Sequence, residues 1–121
     1  MKFTALHHIL LTMPVGDDDL ARRFYGEVLG LAEVSPPPVL ARRGYIWFRA
    51  GSVEIHVGGD EEFQPARRGH PAVQVEGLEE VAASCDAGGF PVRFDENLPG
   101  YKRFFVFDPF GNRLEFLEPT S

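Results

Sequence analysis

Apolar residues along this chain follow two rhythms, one typical of β-strands and the other of α-helices. Eight runs rich in β-branched and aromatic residues, most of them ended by glycine, proline or aspartate, predict strands. They span residues 3–13, 31–34, 45–49, 52–57, 71–75, 91–94, 103–107 and 113–117. Two further segments place apolar residues three or four positions apart, which predicts helices ending at Gly30 and at Gly88.

This order of elements occurs twice. A polar linker with no apolar period, residues 59–69, separates the two copies. The sequence therefore predicts a single domain over 1–121, with an N-terminal module at 1–58 and a C-terminal module at 70–121, each ordered β-α-β-β-β. A chain of 121 residues is long enough for one hydrophobic core and too short for two ordinary domains.

Composition narrows the possible classes of function. The formal net charge is −6 and the isoelectric point is near 5.1, so nucleic acid and anionic membrane surfaces are poor partners. No apolar run approaches the roughly 18 residues of a membrane span, and the N-terminus lacks the pattern of a signal peptide. The single cysteine, Cys85, excludes an intramolecular disulfide and is expected to be buried. These features predict a cytoplasmic protein.

Histidine and glutamate recur at matched positions in the two modules. His8 and Glu54 are 46 residues apart (54 − 8), and His70 and Glu115 are 45 apart (115 − 70). Both glutamates lie between apolar neighbours, where a carboxylate is rarely buried without a partner. The four residues are therefore candidates for one site. The competing interpretation is that the histidines pack in the core and the glutamates face solvent on edge strands.

Five segments carry a resemblance to a known family. Together they resemble the vicinal oxygen chelate superfamily, which includes glyoxalase I, bleomycin and fosfomycin resistance proteins and extradiol dioxygenases. The segments are HHILLTM, LARRFYGEVLGL, GSVEIHV, GHPAVQV and DPFGNRLEF. The resemblance implies an α+β, glyoxalase-like fold, in which two βαβββ modules form a cupped mixed β-sheet with a pocket on its concave face.

The resemblance also implies a metal site. In glyoxalase I-like members, one histidine and one glutamate from each module bind a divalent metal, which puts these roles on His8, Glu54, His70 and Glu115. Two imidazoles and two carboxylates suit Zn, Ni, Co, Mn or Fe(II), and leave open positions for a substrate with adjacent oxygens. An extradiol dioxygenase would need only two histidines and one glutamate, which leaves Glu54 unused.

His56 departs from the glyoxalase I pattern. It lies two residues after Glu54, so both side chains face the same way on a strand. Three roles stay open: a general acid or base beside the candidate catalytic residues Glu54 and Glu115, a ligand in place of Glu54, or a hydrogen-bond partner of a carboxylate. Four more residues are candidates for lining the substrate pocket, namely Trp47, Tyr101, Arg103 and Phe105.

Two functions follow from the resemblance. The first is a metal-dependent enzyme of the isomerase, lyase or dioxygenase type, acting on a small oxygenated metabolite that binds the metal through vicinal oxygens. The alternative is a metal-free protein that sequesters an antibiotic or a similar small molecule, as bleomycin resistance proteins do. The His/Glu set favours the enzyme, because a pure binding protein does not need it. A homodimer is expected in either case.

Overall fold

The computed structural model describes all 121 residues, as eight strands and three helices. The strands are β1 (Ile9–Met13), β2 (Ala32–Val34), β3 (Tyr45–Ala50), β4 (Val53–Gly59), β5 (Ala72–Gln74), β6 (Arg93–Asp95), β7 (Tyr101–Phe107) and β8 (Arg113–Pro119). The helices are α1 (Asp18–Ala21, continued by a π-helical segment, Arg22–Val28), α2 (Pro38–Arg42) and α3 (Leu78–Ala87). None of the helices has the length and hydrophobicity that a bilayer crossing requires.

Each module forms its own four-stranded sheet. The first sheet has the order β1-β4-β3-β2 and the second has the order β5-β8-β7-β6. In both, the first strand of the module runs parallel to the last, and every other pair of neighbours is antiparallel. The helix after the first strand supplies the long crossover that a parallel pair needs. The predicted α+β fold of two βαβββ modules is therefore confirmed.

Strand β1 is shorter than the sequence predicts. It begins at Ile9 rather than Phe3, because β4 is its only partner and Ile9 already lies opposite Ile55. Only two residues of β4 remain beyond that point, so the apolar residues 3–6 have nothing to pair with. They are exposed, and His8 lies immediately before the strand instead of within it.

Helix α2 was not expected, since the sequence Ser35-Pro36-Pro37-Pro38 predicts an extended loop. Residues 35–37 are indeed non-helical, but the helix begins at Pro38. Proline suits the first turn of a helix, because its missing N–H would have no intrahelical partner there and its φ angle is already helical. The proline run therefore forms the loop at residues 35–37 and also begins the helix at Pro38.

The two modules share one hydrophobic core. Alternate residues of β4 and β8 point into it, including Ile55 and Phe116, and helices α1 and α3 cover the same faces of the sheets. Phe24 of the π-helical segment packs edge to face against Phe90 of the second module. Cys85 lies in this core, as expected, and burial raises the pKa of its thiol to about 11. Because β4 and β8 turn one face toward this core, the residues on their other face are free to form a site.

A buried polar network also joins the modules. The Tyr25 hydroxyl donates to Asp108 Oδ2 over 2.6 Å, and the side-chain amide of Asn112 donates to the carbonyl of Thr12 over 2.8 Å. Tyr25 and Thr12 belong to the first module, while Asp108 and Asn112 lie in the turn before β8. Each contact satisfies a buried polar group that would otherwise destabilise the fold.

This network predicts a change in stability at alkaline pH. The pKa of Tyr25 is raised well above its ordinary value. Burial of the hydroxyl is the largest cause, and the negative charge of Asp108 and the hydrogen bond to it add to the effect. The resulting stabilisation is fully present below the pKa of an unfolded tyrosine, about 10, and is lost as the pH rises above that value. Urea unfolding from pH 8 to 11 should show a steeper loss for the wild type than for Tyr25→Phe. Parallel curves for the two proteins would contradict this account.

Candidate metal and substrate site

On the first sheet, His56 is held between two other rings. Ile55 and Val57 point into the core, so His56 faces the opposite side of β4, where it is 6% exposed. Its ring stacks on Trp47 at 4.1 Å between centroids and on His8 at 4.2 Å. This stacking brings His8 to the same face, although His8 precedes strand β1.

Glu54 is held by two donors on this face. His56 Nε2 lies 2.9 Å from Glu54 Oε2, and Arg49 Nη2 lies 2.6 Å from Glu54 Oε1. Hydrogen bonds from His56 and then from Arg49 lower the pKa of Glu54 below its ordinary value. The carboxylate is therefore ionised near neutral pH and accepts hydrogen bonds from both neighbours. We call His8, Glu54 and His56 the first half-site.

On the second sheet, Glu115 and His70 point at each other. Glu115 is 5% exposed, and its Oε1 lies 2.9 Å from His70 Nε2. Its other oxygen lies 3.2 Å from Arg103 Nη1, and Arg103 also binds Asp95 through Nη2 at 2.9 Å. The remaining nitrogen of Arg103, Nε, is buried without a hydrogen-bond partner. We call His70 and Glu115 the second half-site.

The chemistry of this second half-site fits a metal. His70 Nδ1 lies 2.7 Å from the carbonyl oxygen of Arg68, which can only accept a hydrogen bond. Since Nδ1 faces this acceptor, Nε2 is the ring nitrogen available to a metal, and it lies 2.9 Å from Glu115 Oε1. Histidines that bind metals commonly donate their other N–H to a backbone carbonyl in this way, which fixes the tautomer and the ring orientation.

The strand registers show which residues of the two sheets are equivalent. The residue two positions after His8 lies opposite His56, and the residue two positions after His70 lies opposite Glu115. Superimposing the two histidines therefore superimposes His56 on Glu115. The aromatic neighbours agree, since Trp47 lies opposite His56 on the antiparallel side of its sheet. The corresponding partner of Glu115 is again an aromatic residue.

In the same alignment, Glu54 corresponds to Arg113 and not to Glu115. Glu54 and Arg113 each lie two residues before the equivalent pair, on the same face of the sheet. The spacing in the sequence pairs Glu54 with Glu115, whereas the backbone pairing makes His56 the equivalent of Glu115. Glu54 therefore resembles Glu115 in residue type, but His56 is the residue that is equivalent to Glu115 in position.

The candidate ligands of one chain lie in two separate half-sites rather than in a single cluster. No group of three or more histidine, cysteine, aspartate or glutamate side chains is placed to hold a metal ion. His8, Glu54 and His70 nevertheless line one cavity of about 530 Å³. His8 also lines a smaller cavity of about 200 Å³ with Trp47 and His56. One chain therefore presents two half-sites that adjoin but do not merge.

The predicted pocket residues divide into two groups. Trp47 lies against the first half-site and Phe105 against the second, where the ring of His70 meets it edge-on at 5.3 Å. Tyr101 and Arg103 instead line a separate cavity of about 480 Å³. Since Arg103 already neutralises two carboxylates, it is not a free cation for a substrate.

Two arginines of these faces were missed by sequence reasoning. Arg49 holds Glu54, and the guanidinium of Arg113 lies over the ring of Phe105, 4.2 Å from its centroid. The alternation of residues along the strands could have identified both arginines. Arg49 alternates with Trp47 on β3, and Arg113 lies two residues before Glu115, so each shares a face with a residue that was identified.

Both the sequence and the fold of this chain are similar to those of known proteins. The sequence model of the glyoxalase/bleomycin resistance protein/dioxygenase superfamily matches residues 5–116. A glyoxalase family protein from Bacillus anthracis is 40% identical, with 99% of this chain and 98% of that chain covered and a TM-score of 0.94. No curated protein matches this chain.

More distant structures share the fold. A glyoxalase family protein from Enterococcus faecalis is 28% identical, with 98% of this chain and 100% of that chain covered and a TM-score of 0.73. Lactoylglutathione lyase from Agrobacterium tumefaciens is 22% identical over 98% of this chain and 96% of its own, with a TM-score of 0.75. At that identity the similarity concerns the fold alone.

Proposed function

The chain belongs to the glyoxalase/bleomycin resistance protein/dioxygenase superfamily, and we propose that it is a metal-dependent enzyme acting on a small oxygenated metabolite. The substrate binds a divalent ion, one of Zn, Ni, Co, Mn or Fe(II), through two adjacent oxygens. The reaction is of the isomerase, lyase or dioxygenase type. Membership of the superfamily supports the scaffold, while the reaction is argued from the residues of the two half-sites.

One observation carries this proposal. Two equivalent positions, one on each sheet, hold the potential ligands His56 and Glu115, and each has a histidine within contact distance. Imidazole nitrogen and carboxylate oxygen together suit borderline divalent metals. His8, His56, His70 and Glu115 are therefore our preferred donor set, and Glu54 is the alternative fourth donor.

In this set, Glu54 acts on the metal through His56. A hydrogen bond between Glu54 Oε2 and His56 Nε2 leaves the other ring nitrogen, Nδ1, as the donor atom. Arg49 holds the carboxylate in place, since it binds Oε1. If Glu54 itself binds the metal, His56 is instead positioned to take or give a proton at Nε2.

The bound metal would polarise a substrate oxygen and stabilise the negative charge that develops on it. The protein's own residues do the rest. Trp47 and Phe105 present flat apolar surfaces beside the ligands and exclude water from the site. Arg49 and Arg103 fix the orientation of the Glu54 and Glu115 carboxylates, so that little reorganisation is needed when the substrate binds.

We also propose that the protein works as a homodimer in which a second copy completes the site. One chain holds only half-sites, and large apolar side chains are exposed next to them. Phe3 and Leu6 precede β1, Leu10 shares the face of His56, and Phe107 lies on the edge of the second half-site. Burying such residues against a second chain is favourable, at roughly 25 cal/mol for each Å² of apolar surface removed from water.

Elemental analysis of purified untagged protein tests the proposed function, before and after incubation with Zn, Ni, Co, Mn and Fe(II). We expect near-stoichiometric binding of at least one of these ions, and the preferred ion would direct assays toward isomerase or dioxygenase chemistry. Sedimentation of the same samples should give the mass of a dimer. Protein that retains no metal under any loading would exclude the metal-dependent enzyme.

The fourth ligand can be identified by comparing two variants. We expect His56→Ala to weaken metal binding by more than about 100-fold, and Glu54→Gln by about 10-fold, in the range seen for residues that support a ligand. Competition with a chromogenic chelator gives both affinities. Gln64→Ala, which changes an exposed side chain of the linker that lines neither half-site cavity, serves as the control. A larger loss in Glu54→Gln than in His56→Ala would make Glu54 the ligand.

A second candidate function is a metal-free protein that sequesters a small molecule. It is favoured by one observation, namely that an arginine already neutralises each of the two carboxylates, Glu54 and Glu115. Such a protein would hold an aromatic ligand against Trp47 and Phe105. Screening aromatic compounds by thermal shift in the presence of a chelator would support this function if stabilisation persists without metal.

A further inference from the structure

The second sheet carries two arginines without acidic partners. Arg103 on the same face is paired with Asp95 and Glu115. Arg93 and Arg113, by contrast, form no salt bridge and donate no side-chain hydrogen bond. Other arginines, such as Arg42 and Arg43, also form no salt bridge, so Arg93 and Arg113 are distinguished by their place on the sheet.

The register places these arginines beside the second half-site. Arg93 on β6 lies opposite Phe105 on β7, and Phe105 lies opposite Glu115 on β8, so the three side chains form a row across one face. Arg113 lies two residues before Glu115 on the same face. Its guanidinium packs over the Phe105 ring at 4.2 Å, a contact that restricts its motion and leaves its N–H groups at the edge free.

Arg93, Phe105 and Arg113 line a common cavity of about 530 Å³. Two carboxylates also line it. Asp95 is already engaged by Arg103 and by the backbone N–H of Asn97, and Glu96 forms no salt bridge with either free arginine. The cavity therefore has two available cations above an aromatic floor.

From this arrangement we propose that Arg93 and Arg113 bind an oxyanion of the substrate, either a carboxylate or a phosphate-type group. The planar guanidinium offers paired N–H donors that match two oxygens of such a group. Phe105 holds the Arg113 guanidinium in place at the base of the cavity, 4.2 Å from the ring centroid.

This inference rests on the proposed function, because it assigns the substrate class of the same site. The substrate would carry adjacent oxygens at one end and an anionic group at the other. Glu115 would then lie near the reacting end, and Arg113 would bind the opposite end.

Titration of the purified protein with three small probes tests the proposal. Glycolate offers a carboxylate, inorganic phosphate offers the other oxyanion, and ethylene glycol is a neutral counterpart of glycolate. Binding is followed by isothermal calorimetry or by shifts of backbone amide signals around Phe105. Arg93→Gln and Arg113→Gln are compared with Arg42→Gln, which removes an exposed arginine on α2, and with Arg113→Lys.

We expect glycolate or phosphate to bind and ethylene glycol not to bind. Each of the two glutamine variants should weaken the preferred anion about 10-fold or more, while Arg42→Gln behaves as wild type. Arg113→Lys should recover part of the affinity, since it keeps the charge and loses the paired geometry. The stronger of the two anions identifies the class of group.

Unchanged anion affinity in Arg113→Gln would overturn the proposal, and so would an equal loss in all three glutamine variants, which indicates only a general effect of charge. The metal content of each sample separates this result from the proposed function. Retained metal with lost anion binding supports both. Anion binding that depends on Arg113 in protein that never binds metal would keep the anion site and remove the metal-dependent enzyme.

Discussion

A protein in which His70 and Glu115 are both replaced by alanine is expected to bind its metal more than about 100-fold less tightly than the wild type. The two side chains form the second half-site, in which a ring nitrogen and a carboxylate oxygen lie 2.9 Å apart. Their loss removes half of the proposed ligand set, and losing only a residue that supports a ligand commonly costs about 10- to 100-fold in metal affinity.

Glu115→Gln alone separates the loss of a ligand from damage to the fold. An amide keeps the shape of the carboxylate and can still accept a hydrogen bond from Arg103, so the variant should unfold near the wild-type midpoint. Its metal content should nevertheless fall, because a neutral amide oxygen is a weaker ligand than an ionised carboxylate. Elemental analysis and thermal unfolding give the two readouts. Metal binding at wild-type strength in the double variant would show that the second half-site holds no metal.

Replacing Asp108 with alanine should destabilise the fold by about 4 kcal/mol or more, because four hydrogen bonds lose their acceptor and each buried donor left without a partner costs about 1–3 kcal/mol. Asp108 is 4% exposed, and its carboxylate accepts four hydrogen bonds. They come from the Tyr25 hydroxyl, the side-chain amide of Asn112, and the backbone N–H groups of Phe110 and Asn112. Alanine removes the acceptor of all four hydrogen bonds, and the side-chain amide of Asn112 keeps only its hydrogen bond to Thr12.

Two further variants with smaller expected losses of stability provide the comparison. Tyr25→Phe removes one of the four hydrogen bonds and should cost about 1–2 kcal/mol. Asp86→Ala removes an exposed carboxylate that accepts from the backbone N–H of Val92, where water can replace it, so the loss should be under about 1 kcal/mol. Urea unfolding of the four proteins gives the comparison. If Asp108→Ala costs no more than Asp86→Ala, the buried network does not hold the modules together.

The first sheet illustrates why position is harder to infer than residue type. Glu54 and Glu115 both follow an apolar residue near the end of a module, so their spacing from a histidine pairs them. The pairing of β1 with β4 is shifted by two residues from that expectation, which makes His56 the equivalent of Glu115. A shift of two keeps every side chain on its face, so the alternating pattern contains no trace of it.

Arginine side chains show a second limit of prediction from sequence. A solvent-facing arginine and an arginine held against a carboxylate have the same local sequence signature. Arg103 was a candidate for contacting a substrate, yet Asp95 and Glu115 already occupy it. Arg113 was not a candidate, although it, like Arg93, is left without an acidic partner. Which arginine is free depends on contacts between strands, and those contacts come from residues 8 to 12 positions away.

The repeated βαβββ order, and the faces on which His56, Glu54 and Glu115 lie, could be predicted from the sequence. Both follow from the period of apolar positions, since burial of one face is the largest favourable term in folding and leaves a strong pattern. That β1 begins at Ile9, and that the ligands of one chain form two half-sites, became visible in the folded chain alone. These features depend on the length of a partner strand and on how two sheets pack, which no local pattern records.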